Sequence, residues 1–340
     1  RDGDGDESLD LLEIFADTQA TVRLDEESVR HFVTKNRESA KNWCSTHQKP
    51  IGYYSQWMRH GFIPASFAIM HKEQIPINAK IGFKSSEINR FVSLADLADF
   101  VAIYLSEGCV RNLEYSKDCV LSFGRHENEF IDFAIKVVEK SFGFSPRKNL
   151  AHETAINVFC GASVGYLMEL LGLGNDCYSK SFPDFIWNLS KEQRERFLWL
   201  LNSGDGSPSS QCMKKVTHNE EPSLSQKFTF KSSSIDLIND LSYLLLSLNK
   251  TFSLQENSVE WYIENKSSYR YRLHGERSVK DIGTLTIKSI TDVTCEFEGQ
   301  SVYDISVEED ENFIAGLGGI LVHNSVDEAM AGHAKNIHVV

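Results

Sequence analysis

Asp99-Phe100-Val101-Ala102-Ile103-Tyr104-Leu105-Ser106-Glu107-Gly108 and Arg196-Phe197-Leu198-Trp199-Leu200-Leu201-Asn202-Ser203-Gly204-Asp205-Gly206 are two versions of one pattern. Each is an apolar helical stretch that ends in an acid followed by Gly, the residue suited to a left-handed helix stop. The acids lie 98 positions apart, a plausible length for one α/β repeat. Packed side by side, the two helices would bring Glu107 and Asp205 together at one end. Two carboxylates placed there repel unless cations bridge them, as Mg²⁺-dependent phosphodiester hydrolysis requires.

The residues ahead of the second stretch sharpen this reading. Lys180-Ser181-Phe182-Pro183-Asp184-Phe185-Ile186 is followed by Glu195-Arg196-Phe197-Leu198. Together with the paired motifs, this block resembles the "K-x-x-P-x-x-I … FL" lead-in of LAGLIDADG homing endonucleases. The helix-like run from Ser234 to Leu248 (SIDLINDLSYLLLSL) resembles the one that follows the second motif in that family. The resemblance implies that Glu107 and Asp205 hold the metal, Mg²⁺, and that Lys180 is the active-site lysine, stabilising charge or positioning water. Five residues before each acid the family prefers Gly for close helix contact; this chain has Ala102 and Leu200. A Leu there would force the helices apart or make them repack.

Outward from these motifs, the texture changes along the chain. Helical patterns predict helices over 94–106, 128–141, 163–172, 191–202 and 234–248, with strands over 119–123, 155–161 and 225–231. Residues 8–90 mix short apolar runs with turn signals, as an irregular β domain would, and β-type alternation returns at 284–287, 301–307 and 319–322. The expected fold class is therefore mixed: a β domain interrupted by an α/β insertion.

The totals agree with a globular chain. At 340 residues there is room for two or three domains, with 41% apolar and 24% charged residues. No apolar run nears membrane-spanning length, and the acidic N-terminus does not read as an export signal. Seven cysteines without a CxxC pair argue for a reducing compartment and against both a disulfide frame and a zinc site. Residues 91–280 hold 21 Lys and Arg against 24 Asp and Glu, a net of −3 out of −13 for the whole chain. The flanks carry the acidic excess, so the middle could present a basic face to DNA.

The C-terminal stretch carries different chemistry. Val302-Tyr303-Asp304-Ile305-Ser306-Val307 precedes Gly319-Ile320-Leu321-Val322-His323-Asn324-Ser325. An Asn amide can attack its own carbonyl and break the following peptide bond, a preceding His can assist, and a following Ser supplies a nucleophile. These blocks resemble the C-terminal splicing blocks of an intein. The resemblance implies that His323, Asn324, Ser325 and the strand-end acid Asp304 are catalytic. Cys44-Ser45-Thr46-His47 resembles the family's "T-x-x-H" block and makes His47 the activating histidine, with Cys44 at the usual Thr position. Ser8 would be the first nucleophile, although its surroundings lack the usual pattern, and Glu311 stands where the family has His.

The implied organisation is a remnant of the N-terminal host segment at 1–7 and an all-β, horseshoe-like Hint splicing domain from 8–90 and 281–324. A two-repeat α/β endonuclease at 91–280 interrupts it, and the host resumes at 325–340. Splicing would run by acyl shift at Ser8, transfer to Ser325, cyclisation of Asn324 and ligation of the flanks, with no cofactor. The joined flanks, RDGDGDE-SVDEAMAGHAKNIHVV, resemble a segment of the replicative minichromosome maintenance helicase. The implied partners are the flanking host segments in cis and double-stranded DNA of the allele that lacks the insertion, with no membrane. Location inside the cell would follow the host. The other reading is a DNA-binding or maturase-like relative that no longer splices or cuts.

Overall fold

The computed structural model describes residues 7–50, 52–83, 86–113, 116–150, 154–205, 229–248, 250, 252–257, 260–265, 312–315 and 320–323. The first unit runs β1 (Ser8–Asp10), α1 (Leu11–Phe15), β2 (Thr21–Arg23), α2 (Glu26–Lys35), α3 (Arg37–Thr46), α4 (Tyr54–His60), β3 (Phe62–Pro64), α5 (Ala65–Ala68), β4 (Lys80–Phe83), β5 (Ser86–Asn89) and β6 (Phe91–Ser93). Strands β3, β2, β4 and β5 form an antiparallel sheet in that order, and β1 pairs with β6, Ser8 opposite Ser93.

This corrects the expectation of a β-rich splicing domain over 8–90, where the described residues hold five α-helices around one small sheet. The physical reason is legible afterwards. Val29, Phe32 and Val33 are spaced i, i+3, i+4, and so are Ala40, Trp43 and Cys44; all six are buried. The Asp25 carboxylate caps α2 by accepting the Ser28 N–H at 2.8 Å. Gly61, with φ of +66°, supplies the left-handed residue that ends α4.

The second unit follows the expected α/β pattern. It opens with α6 (Leu94–Glu107), β7 (Gly108–Leu113), β8 (Ser116–Gly124), α7 (Asn128–Phe142), β9 (Arg147–Leu150), β10 (Ala155–Cys160) and α8 (Gly161–Leu170). That is helix, hairpin, helix, hairpin, helix, with an antiparallel sheet ordered β7-β8-β10-β9. After a linker come α9 (Lys191–Asp205), β11 (Thr229–Ser232), α10 (Ile235–Ser247), β12 (Phe252–Asn257) and β13 (Glu260–Asn265), with an antiparallel sheet ordered β11-β13-β12. As far as it is described, this repeats the first pattern. The hairpin β14 (Asn312–Ala315) with β15 (Ile320–His323) matches the strand expected over 319–322. The strands expected over 284–287 and 301–307 lie outside the described residues.

Helix α6 is the pillar of the molecule. Ser93 caps it, accepting the Asp96 N–H at 3.1 Å, and Leu97, Ala98 and every residue from Phe100 to Ser106 are buried. A helix apolar on all sides must be enclosed on all sides. Here α9, α7, β6, β7 and β8 enclose it. The first unit docks on the second at the β10–α8 corner, where Phe83 N–H donates to Ser163 Oγ at 2.9 Å and Ser163 N–H to Ser86 Oγ at 3.0 Å.

Candidate active site and nucleic-acid interface

Helices α6 and α9 pack against each other, and their C-terminal ends carry the two acids. The closest approach is at Gly204. A Cβ built there would stand 2.3 Å from Ser106 Oγ, 2.5 Å from Ser106 Cβ and 2.6 Å from Glu107 Oε1. Glu107 thus holds its carboxylate against the backbone of the residue before Asp205. Ala102 and Leu200 are fully buried in the core, and Leu200 does not prevent the contact. The small residues that permit it are Ser106 and Gly204, each one turn further along its helix. Gly108 corrects a second expectation. Its backbone is extended (φ −97°, ψ 155°), not left-handed. Gly is needed because a Cβ would meet Tyr104 Cδ2 at 2.4 Å, where the chain turns directly from α6 into β7.

The linker 171–190 places Lys180 at this helix end. Lys180 is 6% exposed, and its ammonium donates to Leu105 O at 2.7 Å and Ser106 O at 3.4 Å. A cation over the last carbonyls of a helix complements their partial negative charge. Two residues of the second repeat hold the lysine's backbone in place. Ser234 Oγ donates to Lys180 O at 2.5 Å while also capping α10, and Asp240 accepts the Phe182 N–H at 2.7 Å. Burial pushes the Asp240 carboxyl up, and the bond from Phe182 opposes that shift. Tyr104 OH donates to Gly174 O at 2.6 Å, fastening the linker to α6. The Ser234–Leu248 run is legible in the sequence as a helix, and Ser234 as its cap, but no local pattern marks the contacts that Ser234 and Asp240 make with the linker.

At the opposite ends of the helix pair, Arg196 Nε donates to Asp99 Oδ1 at 2.8 Å, and an Arg196 Nη donates to Asp99 Oδ2 at 2.7 Å. Burial raises the Asp99 carboxyl above its ordinary value, and Arg196 offsets part of this. A carboxylate raised in the fold favours folding below its unfolded value and loses that contribution as pH rises through the folded value. Arg196→Met leaves Asp99 charged without its partner at neutral pH. The expected cost is about 2 kcal/mol, read as a lower midpoint in thermal unfolding. The deficit should shrink as the pH falls toward 4 and Asp99 is protonated.

The sheet of the first repeat has one covered and one open face. Val110, Cys119, Leu121, Phe123, Ile156, Val158 and Cys160 are buried on the helix side. The register puts Arg111, Ser122, Asn157, Phe159, Arg147 and Asn149 on the other. The Arg111 and Arg147 guanidinium groups lie 5.1 and 5.9 Å from the Phe159 ring centroid, and Ser122 Oγ donates to Asn157 Oδ1 at 3.0 Å. Such a face offers charge to phosphates and amides and guanidinium groups to base edges.

The residues expected for splicing are placed differently. Ser8 lies in β1, and the Glu7 carbonyl before it accepts the Leu94 N–H at 2.9 Å. His47 ends α3, with its ring stacked on Trp43 at 4.0 Å and Nδ1 2.9 Å from Trp43 O. No hydrogen bond or ring contact joins His47 to Ser8. His323 is paired through β15 with Asn312. Asp304, Asn324 and Ser325 lie outside the described residues. None of the five described cysteines is in a disulfide. Among the described residues, no helix is long and apolar enough to cross a membrane, and no group of three or more His, Cys, Asp or Glu is gathered as a metal cage.

Among solved structures, the chain resembles homing endonucleases. One is I-WcaI bound to its DNA recognition sequence, at 10% identity and a TM-score of 0.38, covering 59% of this chain and 82% of that one. Another is I-DmoI in complex with DNA and Ca, at 9% identity and a TM-score of 0.33, covering 50% and 82%. These overlaps are loose, and the repeat described above stands on its own elements. Among curated proteins, the chain is 27% identical over 244 residues to a DNA polymerase of Pyrococcus horikoshii, which is 71% of this chain. It is 30% identical over 156 residues, 45% of this chain, to the DNA polymerase II large subunit of Thermococcus kodakarensis. The chain spans only 16% and 8% of those two proteins. No family model matches it.

Proposed function

We propose that the chain is a self-excising intein of the Hint type that carries a LAGLIDADG homing endonuclease, cutting double-stranded DNA of the allele that lacks the insertion. The observation that carries the endonuclease reading is the seating of Glu107 against Gly204, beside Asp205, at the joined ends of two helices. Two acids at such a junction suit an oxygen-binding divalent cation, Mg²⁺ above all, with phosphate and water as further ligands. When bound, the cation would neutralise charge on the phosphoryl oxygens.

The protein's own groups do the rest. The open face of the β7–β10 sheet binds and orients the duplex, and the packing of α6 on α9 brings together the helix ends that carry Glu107 and Asp205. Lys180, held by Ser234 and Asp240, keeps a positive charge beside the site to orient water or steady the developing negative charge. In the hydrolysis, the water oxygen bonds to phosphorus and gives up a proton to solvent, the phosphorus–oxygen bond to the deoxyribose breaks, and the leaving oxygen takes a proton from solvent.

The splicing half rests on the sequence blocks at Asp304 and His323-Asn324-Ser325, with Ser8 and His47 as the upstream pair. Support for an inserted element comes from the curated matches, which take up a small part of much longer polymerases. Host flanks at 1–7 and 325–340 fit a replicative helicase, and the domain limits 8–90, 91–280 and 281–324 follow from this reading. The helical content of 8–90 bears against an all-β splicing domain in that part. Expressing the chain between two distinct tags tests the splicing half. Mass spectrometry is expected to find Glu7 joined to Ser325. A precursor that stays intact, or is only cleaved at Asn324, would leave DNA cutting as the surviving activity.

A further inference from the structure

The sequence pattern predicts no helices over 26–60, and the splicing reading uses only the end of α3, through Cys44 and His47. They form a three-helix unit. Helix α4 packs on α2 and α3, driving Tyr54 and Trp57 inward, and Trp57 meets Trp43 of α3 at 5.3 Å between ring centroids. The outward side of α4 is Ser55, Gln56, Arg59 and His60, all exposed and spaced i, i+1, i+4, i+5, so they form one face. The side chains of Ser55, Gln56 and Arg59 have no hydrogen bond or ion pair within the described protein. Beside this face, the segment entering α4 presents His47, Gln48 and Lys49, also exposed.

The charge of the unit is positive on balance. Residues 26–60 hold Arg30, Lys35, Arg37, Lys41, Lys49 and Arg59 against Glu26, Glu27 and Glu38, in a chain whose net charge is −13, and Lys41 pairs with Glu38 at 2.6 Å. A short helix set on two others, offering Ser, Gln and Arg with cations at its shoulder, has the side-chain chemistry that reads base edges and phosphates in a major groove.

The position of the unit points the same way. Arg23 donates to His60 O at the end of α4, at 2.9 Å, and pairs with Glu87 on β5, also at 2.9 Å. Glu87 lines a cleft together with Asp118, Arg147 and Phe159 of the first repeat's sheet. The end of α4 is therefore joined through Arg23 to Glu87, which shares its cleft with Arg147 of the open face. Glu107 leads straight into β7, whereas the cleft lies at the far, β7–β8 turn end of the same hairpin.

We infer that the α2–α4 unit is a second DNA-docking module, in which Gln56 and Arg59 of α4 contact the duplex beyond the tract covered by the sheets. It rests on the endonuclease reading and extends it: the protein would grip a longer site than the part it cuts.

The test is a hydroxyl-radical footprint of the full chain on a duplex encoding Arg1–Glu7 joined directly to Ser325–Val340 with its natural flanks, with Ca²⁺ as the cation. The wild type is compared with Gln56→Ala/Arg59→Ala, both exposed positions whose thermal midpoint should not move. The variant is expected to lose protection over about one helical turn at one end of the site, with the rest retained. Its affinity should fall about 10-fold or more, and its salt dependence should weaken by about one counterion. With saturating protein and Mg²⁺, cutting should continue at the wild-type rate. An unchanged footprint and affinity in a variant that cuts would overturn the second module alone. A wild type that neither protects nor cuts this duplex would overturn the endonuclease reading, and this inference with it.

Discussion

Glu107→Gln and Asp205→Asn are each expected to lower double-strand cleavage by at least ~10³-fold, because each removes half of the charge that holds a divalent cation. The argument begins with packing. Ser106 and Gly204 are small enough for the helix ends to touch, which brings the chain positions that follow them, Glu107 and Asp205, to one junction. Both substitutions remove charge and keep the size of the side chain, so the variants should fold, and DNA binding should persist through the open sheet face. Cleavage assays of the purified variants, read beside melting curves, distinguish this from simple misfolding. A variant that melts with the wild type and cuts at the wild-type rate would remove that acid from the site.

Gly204→Val should have the next largest effect, for a purely steric reason. Its Cβ would fall 2.3 to 2.6 Å from Ser106 and the Glu107 carboxylate, closer than side-chain atoms can approach. Ser106 is enclosed, so the helix ends must separate. Overpacking of this kind costs about 1–3 kcal/mol. Displacing a reacting group by about 1 Å costs on the order of 10² in rate. The variant should fold, melt at a lower temperature and cut at least ~10²-fold more slowly. Gly204→Ala is milder, and pairing it with Ser106→Gly should return much of the rate by restoring the room. Failure of that rescue would mean that the contact at Gly204 does not govern the site.

The helices of the second unit were legible because their apolar residues recur with helical period, and all five expected there are found within two or three residues of their limits. The strand over 119–123 sits inside β8, and the one over 155–161 is β10. The first unit was not legible in the same way. Its helices are ten residues or fewer, and the turn at Gly52-Tyr53 and the Phe62-Ile63-Pro64 strand break the period before it can accumulate. The site was partly legible. Glu107, Asp205 and Lys180 stood out as motif residues, but their surroundings depend on contacts across long separations. Asp240 reaches back 58 positions to Phe182, and Arg196 reaches back 97 to Asp99. No local pattern encodes such pairings. The concern over Leu200 failed for the same reason: which residue sits at a helix crossing depends on how the two helices meet.

The most direct test of the account is a plasmid assay. The full chain and Mg²⁺ are incubated with a plasmid carrying the coding sequence of Arg1–Glu7 joined to Ser325–Val340, and with a second plasmid in which the segment encoding 8–324 interrupts it. The account predicts linear product from the first plasmid, with both strands cut near the junction, and none from the second. Both plasmids left intact by a folded protein that retains DNA binding would contradict it.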